Sequence, residues 1–376
     1  MVTSGLSGNE VYCLNKLGLA PGEVVLGNSV FSLGFMGSIV SSFKNVLGGE
    51  ISQISSFISE GRELAIQRLE NEAKSKNAKG VTGVSSELIH HMERNQIEFL
   101  SVGSGIHSSK DAKDQFEYST SIDAEEMFCN VDAGYNPKRF VFGNVAYALG
   151  AVGGLSGMLK TLTRGEVTDY SNILNHTRHI ALQRIVDEAK KFGANSVLNI
   201  ETKIMPYSQG ITEMLMIGTA FHNPALGQNY LADPVTSDLT ASELWSITAL
   251  GMMPLKLVLG TSVYSLGVAG GIASAFQSLA RGEINTLTTL IYEARERAIG
   301  LINNEARAIG ADDILGTKIY MYEMGNGLIE LMAIGTAVKK VDGLSTKSAE
   351  LIPQAIIQDT DTFFNYTRYS FGANRR

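Results

Sequence analysis

Three stretches of this chain are copies of one another, and the constancy of their spacing constrains the fold more than any motif does. VVLGNSVFSLG from Val24, FVFGNVAYALG from Phe140 and LVLGTSVYSLG from Leu257 align at a step of 116 residues (Gly27 to Gly143) and then 117 (Gly143 to Gly260). The first step holds from Gly18/Gly134 through Arg62/Arg178 and is 115 at Glu98/Glu213, so one residue is lost in between; the second step holds throughout. A register this steady is the mark of a duplicated domain. The 376 residues therefore divide into repeats over 12–106, 128–221 and 245–338. Polar, turn-rich linkers at 107–127 and 222–244 join them, and a tail runs over 339–376.

Within one repeat the apolar pattern dictates the elements. The opening β-branched run EVVLGNSV reads as a strand. Next comes a glycine-spotted stretch whose shared apolar positions, Ile39, Phe43 and Val46 (Leu155, Leu159 and Leu162; Ile272, Phe276 and Leu279), lie at i, i+4, i+7, one face of a helix. It ends at Gly49-Glu50, Gly165-Glu166 or Gly282-Glu283. Ser52, Thr168 and Asn285 are expected to cap a second helix, since their side-chain oxygens can accept a free amide of the first turn. That helix faces inward with Phe57, Ala65, Leu69 and Ala73, and ends at Asn77, Gly193 or Gly310, residues suited to a left-handed cap. Two strands joined by a short turn close the unit. The fold class expected is α+β: three tandem two-layer α/β domains, each a small, mainly antiparallel sheet packed on helices.

Composition excludes some classes. A net charge of −7 disfavours a general nucleic-acid binder, which needs basic surface to displace phosphate counterions. Two cysteines make no disulfide framework and point to a reducing compartment. The N-terminal stretch lacks a basic segment followed by an apolar core, so a cytoplasmic protein is expected. The uncharged stretches Val24–Phe43, Phe140–Leu159 and Leu257–Ala280 are long enough to raise a membrane span; the periodic stripe, which implies one polar face, favours a helix buried between domains.

These residues together resemble the YbjQ-like family, whose domains carry a heavy-metal-binding label. The resemblance rests on Gly22, Glu23, Leu26 and Gly27 of the first strand, Gly48-Gly49 before the second helix, and Ala294, Arg295, Glu296 and Ala298 within it. Ile309-Gly310-Ala311-Asp312 and the Gly335–Val338 ending complete it, so that it spans roughly the three repeats and is best in the third. It implies two-layer α/β units related to dodecin subunits, which assemble as five-membered rings with a short strand completing a neighbour's sheet. This chain departs from the family in its uncharged first helices and in its tandem arrangement.

Candidate sites are few. Cys13 and Cys129 occupy the same repeat position, with Ser246 in the third copy, and are the candidate thiolate ligands if a metal is held; the plainer expectation is small buried residues on a strand. No CxxC or HxH spacing accompanies them, and the adjacent His90 and His91 would point to opposite faces of a strand. Arg62, Arg178 and Arg295, with Glu98, Glu213 and Glu330, recur in every copy, as do Glu72, Glu188 and Glu305. A catalytic set is seldom needed three times in one chain, whereas an interface is, and Arg–carboxylate pairs fix register. No phosphate loop, G-x-S-x-G elbow or H-E-x-x-H is present. The expectation is a non-enzymatic, ring-forming homo-oligomer with no resident cofactor. The resemblance points to a pentamer stacking three rings, with two chains supplying six positions of a wider ring as the other arrangement. A membrane-associated assembly and a metal or small-ligand binder are the remaining readings.

Overall fold

The computed structural model describes residues 2–32, 49–91, 96–109, 112–148, 165–208, 211–265, 285–325 and 328–351. The glycine-spotted first helices, and with them the membrane test, lie outside the described residues, as do the tail beyond 351 and parts of the hairpin turns.

The first repeat runs α1 (Gly8–Lys16), β1 (Ala20–Ser32), β2 (Gly49–Glu50), α2 (Ser52–Ser75), β3 (Gly80–His91), β4 (Gln96–His107) and β5 (Tyr118–Ser119). The second gives α3 (Ala124–Asp132), β6 (Asn136–Ala148), β7 (Gly165–Glu166), α4 (Thr168–Lys191), β8 (Ser196–Ser208), β9 (Ile211–His222), a short α5 (Asn229–Ala232) and β10 (Val235–Thr236). The third gives α6 (Ala241–Ala249), β11 (Met252–Ser265), α7 (Asn285–Ala308), β12 (Asp313–Gly325) and β13 (Leu328–Lys340).

Each repeat builds an antiparallel sheet in which its last strand lies between the first and the third: β1-β4-β3, β6-β9-β8 and β11-β13-β12. The stretches read as linkers are not passive. β5 and β10 add in parallel to the outer edges of β3 and β8. The linker ends and repeat starts also hold a helix that the sequence reading did not anticipate. α1, α3 and α6 each open with a capping box: Ser7 with Glu10, Asp123 with Glu126, and Thr240 with Glu243. α3 packs against both α1 and α6, and their shared apolar cluster includes Leu14, Met127, Leu244 and Trp245.

The long helices α2, α4 and α7 lie on the sheets as the periodicity requires. Glycine at the V-L-G position makes the close approach possible: a Cβ on Gly260 would sit 2.6 Å from Ala298 O, and those on Gly27 and Gly143 would press closer still on the α2 and α4 backbones. The helices end on Asn77, Gly193 and Gly310 at φ +54°, +64° and +71°, the left-handed conformation expected there.

Their beginnings correct the sequence reading. Ser52 and Thr168 lie inside the first turn; the caps are Ile51 and Val167, with no side-chain cap. The chain enters α2 and α4 from a two-residue strand bonded to the following repeat, and that ladder fixes where each of the two helices begins.

Candidate functional site: the joint between repeats

Four of the recurring side chains, Arg62, Glu213, Arg178 and Glu330, meet at the seams between repeats. At the first seam, Gly49–Glu50 pairs antiparallel with Tyr147–Ala148, the end of the second repeat's opening strand. Ile51 N–H then donates to Ala146 O (2.8 Å), Ala146 N–H donates to Ser55 Oγ (2.9 Å), and Asn144 Nδ2 donates to Ser55 O (3.1 Å). At the second seam Gly165–Glu166 pairs with Tyr264–Ser265, Val167 N–H donates to Val263 O (2.8 Å), and Val263 N–H donates to Ser171 Oγ (2.8 Å). Gly49 and Gly165 sit at φ +107° and +133°, where a side chain would be strained, so the Gly-Glu pair is a turn that sends two residues into the neighbour's sheet.

A buried ion pair spans each seam. Arg62 Nη2 lies 3.0 Å from Glu213 Oε2, with both side chains almost wholly enclosed, and Nη1 donates to Ser86 Oγ (3.1 Å). Arg178 reaches Glu330 through Nη2 to both carboxylate oxygens (2.8 and 2.9 Å) and through Nε to Oε1 (3.2 Å). Its Nη2 also donates to Tyr147 Oη (2.8 Å), and the guanidinium lies 4.6 Å from the Tyr147 ring centroid. Burial alone would push the Arg178 guanidinium down; the adjacent Glu330 carboxylate outweighs it and holds the group above its ordinary range. A charge pair taken from water needs this density of contacts to be tolerated.

Apolar side chains fuse the seams. Val25, Ile66 and Leu69 of repeat one share a cluster with Phe140, Leu215 and Ile217 of repeat two. Leu174 and Ile185 of repeat two share another with Leu257, Leu259 and Val263 of repeat three. α2 packs on β6 as well as on β1, and α4 on β11 as well as on β6. Further bridges are Arg139–Glu70 (3.1 Å), Arg184–Glu50 (2.6 Å) and His179–Glu305 (2.7 Å). The Glu72 position is structural too: Leu26 N–H donates to the Glu72 carboxylate (2.6 Å) and Leu259 N–H to that of Glu305 (3.0 Å).

Of the six interface candidates, the structure brings four together as two pairs and leaves Arg295 and Glu98 apart. Among the described residues Arg295 Nη2 meets Glu296 of its own helix (3.0 Å), its side chain 40% exposed. Glu98 accepts from Asn28 Nδ2 (3.1 Å) and lies 2.9 Å from His91 Nε2. Those two contacts lower the Glu98 carboxyl below its ordinary range, the His91 bond being the larger cause. His90 instead stacks edge-on against Tyr207 at the first seam, 5.6 Å between centroids.

The two cysteines lie on helices α1 and α3 rather than on a strand, and both are buried. Burial, then the nearby Glu125, pushes the Cys13 thiol up to about 11; burial, then Cys13, pushes Cys129 up to about 12. Two buried thiols make at most half of a four-ligand thiolate site. Among the described residues no group of three or more His, Cys, Asp or Glu is placed to hold a metal ion. Among the same residues no helix is long and apolar enough to cross a membrane.

The family model described as "Putative heavy-metal-binding", YbjQ, matches residues 20–107, 135–223 and 252–341. The chain belongs to this family. Single repeats are similar to UPF0145 proteins: 37% identity to one from Clostridium perfringens over 94 residues (25% of this chain, 89% of the relative), and 44% to one from Pseudothermotoga lettingae over 85 residues (23% and 80%). A longer match, 28% identical over 235 residues, is to the Encapsulin nanocompartment protein Rv1762c of Mycobacterium tuberculosis, covering 60% of this chain and 87% of that protein. The three tandem YbjQ domains are thus an elaboration of a unit that occurs singly elsewhere.

Proposed function

We propose that this chain is a non-enzymatic, self-assembling scaffold protein whose working surface is the YbjQ joint itself. The observation that carries the reading is the joint's form: strand addition, a shared apolar core and a buried Arg–Glu pair, made twice in one chain. An interface built this way suits obligate association of like domains. The likeness to a protein named for an encapsulin nanocompartment supports an assembly role. Arg62, Arg178, Glu213 and Glu330 join repeats, which supports a structural use of these recurring positions. Because neighbouring repeats of one chain sit side by side in the joint, the arrangement in which two chains supply six positions of a ring fits it more directly than a pentamer of stacked rings.

The test is the native mass of the purified protein, with and without detergent, by native mass spectrometry or light scattering. A discrete multiple of 40.5 kDa that is indifferent to detergent supports the reading, and its size fixes the number of chains. A monomer at micromolar concentration overturns it.

A further inference from the structure

The seams between repeats one and two and between repeats two and three follow one pattern, so the chain has a leading face and a trailing face of that same pattern, each used internally and each left open at one end. The open faces are visible residue by residue. Val24, Leu26 and Val30 of β1 are 38%, 47% and 51% exposed, large apolar side chains in a row along one strand. One repeat step on, Phe140 and Ala146 are buried under α2, and two steps on Leu257, Leu259 and Val263 are buried under α4. Repeat one therefore presents an uncovered copy of the surface that repeats two and three each use to receive the preceding repeat.

The other end is uncovered in the complementary sense. Among the described residues α7 lies across one sheet, its own, and reaches repeat two through the Glu305–His179 bridge, whereas α2 and α4 each lie across two sheets. On α7, Arg295 stands where Arg62 and Arg178 stand, but it is partly exposed, stacked on the exposed Tyr292 ring 4.3 Å away, and its enclosed Nε atom has no hydrogen-bond partner among the described residues. Glu98 stands where Glu213 and Glu330 stand, on the central strand of repeat one, and among the described residues is held by Asn28 and His91 of its own repeat. One face lacks its carboxylate and the other lacks its guanidinium.

We propose that the trailing face of one copy receives the leading face of the next, with Arg295 of one chain paired to Glu98 of another and Val24, Leu26 and Val30 buried beneath the neighbour's α7. The occupant is a second copy of this chain because, among the described residues, the surface that carries the complement is the chain's own other end. The contact is heterologous, so it propagates head to tail and either closes into a ring or extends as a filament. This inference rests on the self-assembly reading above and assigns the surfaces that perform it.

The experiment uses three full-length proteins: the wild type, Glu98→Arg, which sets an arginine against the incoming Arg295, and Arg295→Ala, which leaves an incoming Glu98 without its cation. Both positions are part-exposed with only local partners, so each variant folds, as circular dichroism will verify. Each variant alone should fall to 40.5 kDa, since each has lost one of two required faces. Mixed one to one, they should form a dimer of about twice that mass and stop: the Glu98→Arg chain keeps Arg295, the Arg295→Ala chain keeps Glu98, and the two remaining ends do not match. Val30→Glu serves as a second block of the trailing face and should give the same dimer with Arg295→Ala. A wild type that assembles while all three variants keep its mass overturns the pairing and leaves self-assembly standing through another surface. A monomeric wild type sinks the assembly reading itself.

Discussion

Arg178 and Glu330 are 152 residues apart in sequence, yet they form a forked ion pair with three nitrogen–oxygen contacts of 2.8 to 3.2 Å across the second seam, both side chains enclosed. Deleting one partner strands the other charge in a site closed to water, at a cost of about 3–5 kcal/mol, whereas replacing both by apolar groups of similar volume is close to neutral. Arg178→Ala should therefore lower the urea midpoint strongly and split unfolding into two transitions as repeat three uncouples from the rest. Arg178→Met combined with Glu330→Leu should recover most of the loss. Equal losses in the single and double variants would mean that the charges themselves stabilise the seam.

The strand-to-helix approach at the V-L-G glycine leads to a second expectation. A methyl group on Gly143 would be driven into the Ala181 carbonyl and the Ile185 amide, both backbone atoms that cannot swing aside. Gly143→Ala should cost about 1–3 kcal/mol through forced separation of α4 from β6, and Gly143→Val more. The same change at Gly193, whose added Cβ meets nothing within 4 Å, is strained only by its φ of +64° and should cost less. Melting temperatures of the two alanine variants compared side by side decide it; a ranking of Gly193→Ala below Gly143→Ala would refute the close approach.

The fold was legible wherever the three copies repeat an apolar period. The strands, the long helices and their left-handed ends at Asn77, Gly193 and Gly310 follow from residues within one repeat. The helices α1, α3 and α6 are hard to read because nine residues offer little periodicity, and for that reason the expectation of Cys13 and Cys129 on a strand fails. Their capping boxes were present as Ser7/Glu10, Asp123/Glu126 and Thr240/Glu243, and that signature would have found them. The Arg and Glu positions of the joint were visible as recurring residues, but which Arg meets which Glu depends on how one repeat docks on the next. Spacing within a repeat carries no information on that. Ser52 and Thr168 misled for the same reason: the backbone partner that opens each helix, Ala146 or Val263, belongs to the neighbouring repeat.

Chemistry at the cysteines should be correspondingly quiet. With thiols held at about 11 and about 12 by burial, the thiolate fraction at pH 8 is on the order of one in a thousand or less. A disulfide-exchange reagent should leave both unreacted in the native protein and react with both in denaturant. Elemental analysis should find no metal lost on changing Cys13→Ser together with Cys129→Ser. Metal that disappears with the two thiols would restore them as ligands.

The second seam also carries a proton-sensitive bridge. His179 Nε2 lies 2.7 Å from Glu305 Oε1 of the next repeat, and its Nδ1 lies 2.7 Å from Asn175 O. Burial opposes the charged ring, but the Glu305 bond and the Asn175 carbonyl together outweigh it, so the folded pKa lies above the ordinary 6.5. A group raised in this way contributes stability that is complete below 6.5, where the ring is charged in both folded and unfolded chains. The contribution fades as pH climbs through the higher folded value, because the folded protein must then give up the imidazolium that holds Glu305. Both side chains are about a third exposed, so the effect is modest and shrinks with salt. His179→Gln should therefore lower the melting temperature most at pH 5.5 to 6 and least at pH 8.5, with the difference narrowing in 0.5 M salt. Titration of the His179 ring by NMR gives the direct reading: a midpoint above 6.5 agrees with the bridge, and one below it would mean that burial, not Glu305, governs the ring.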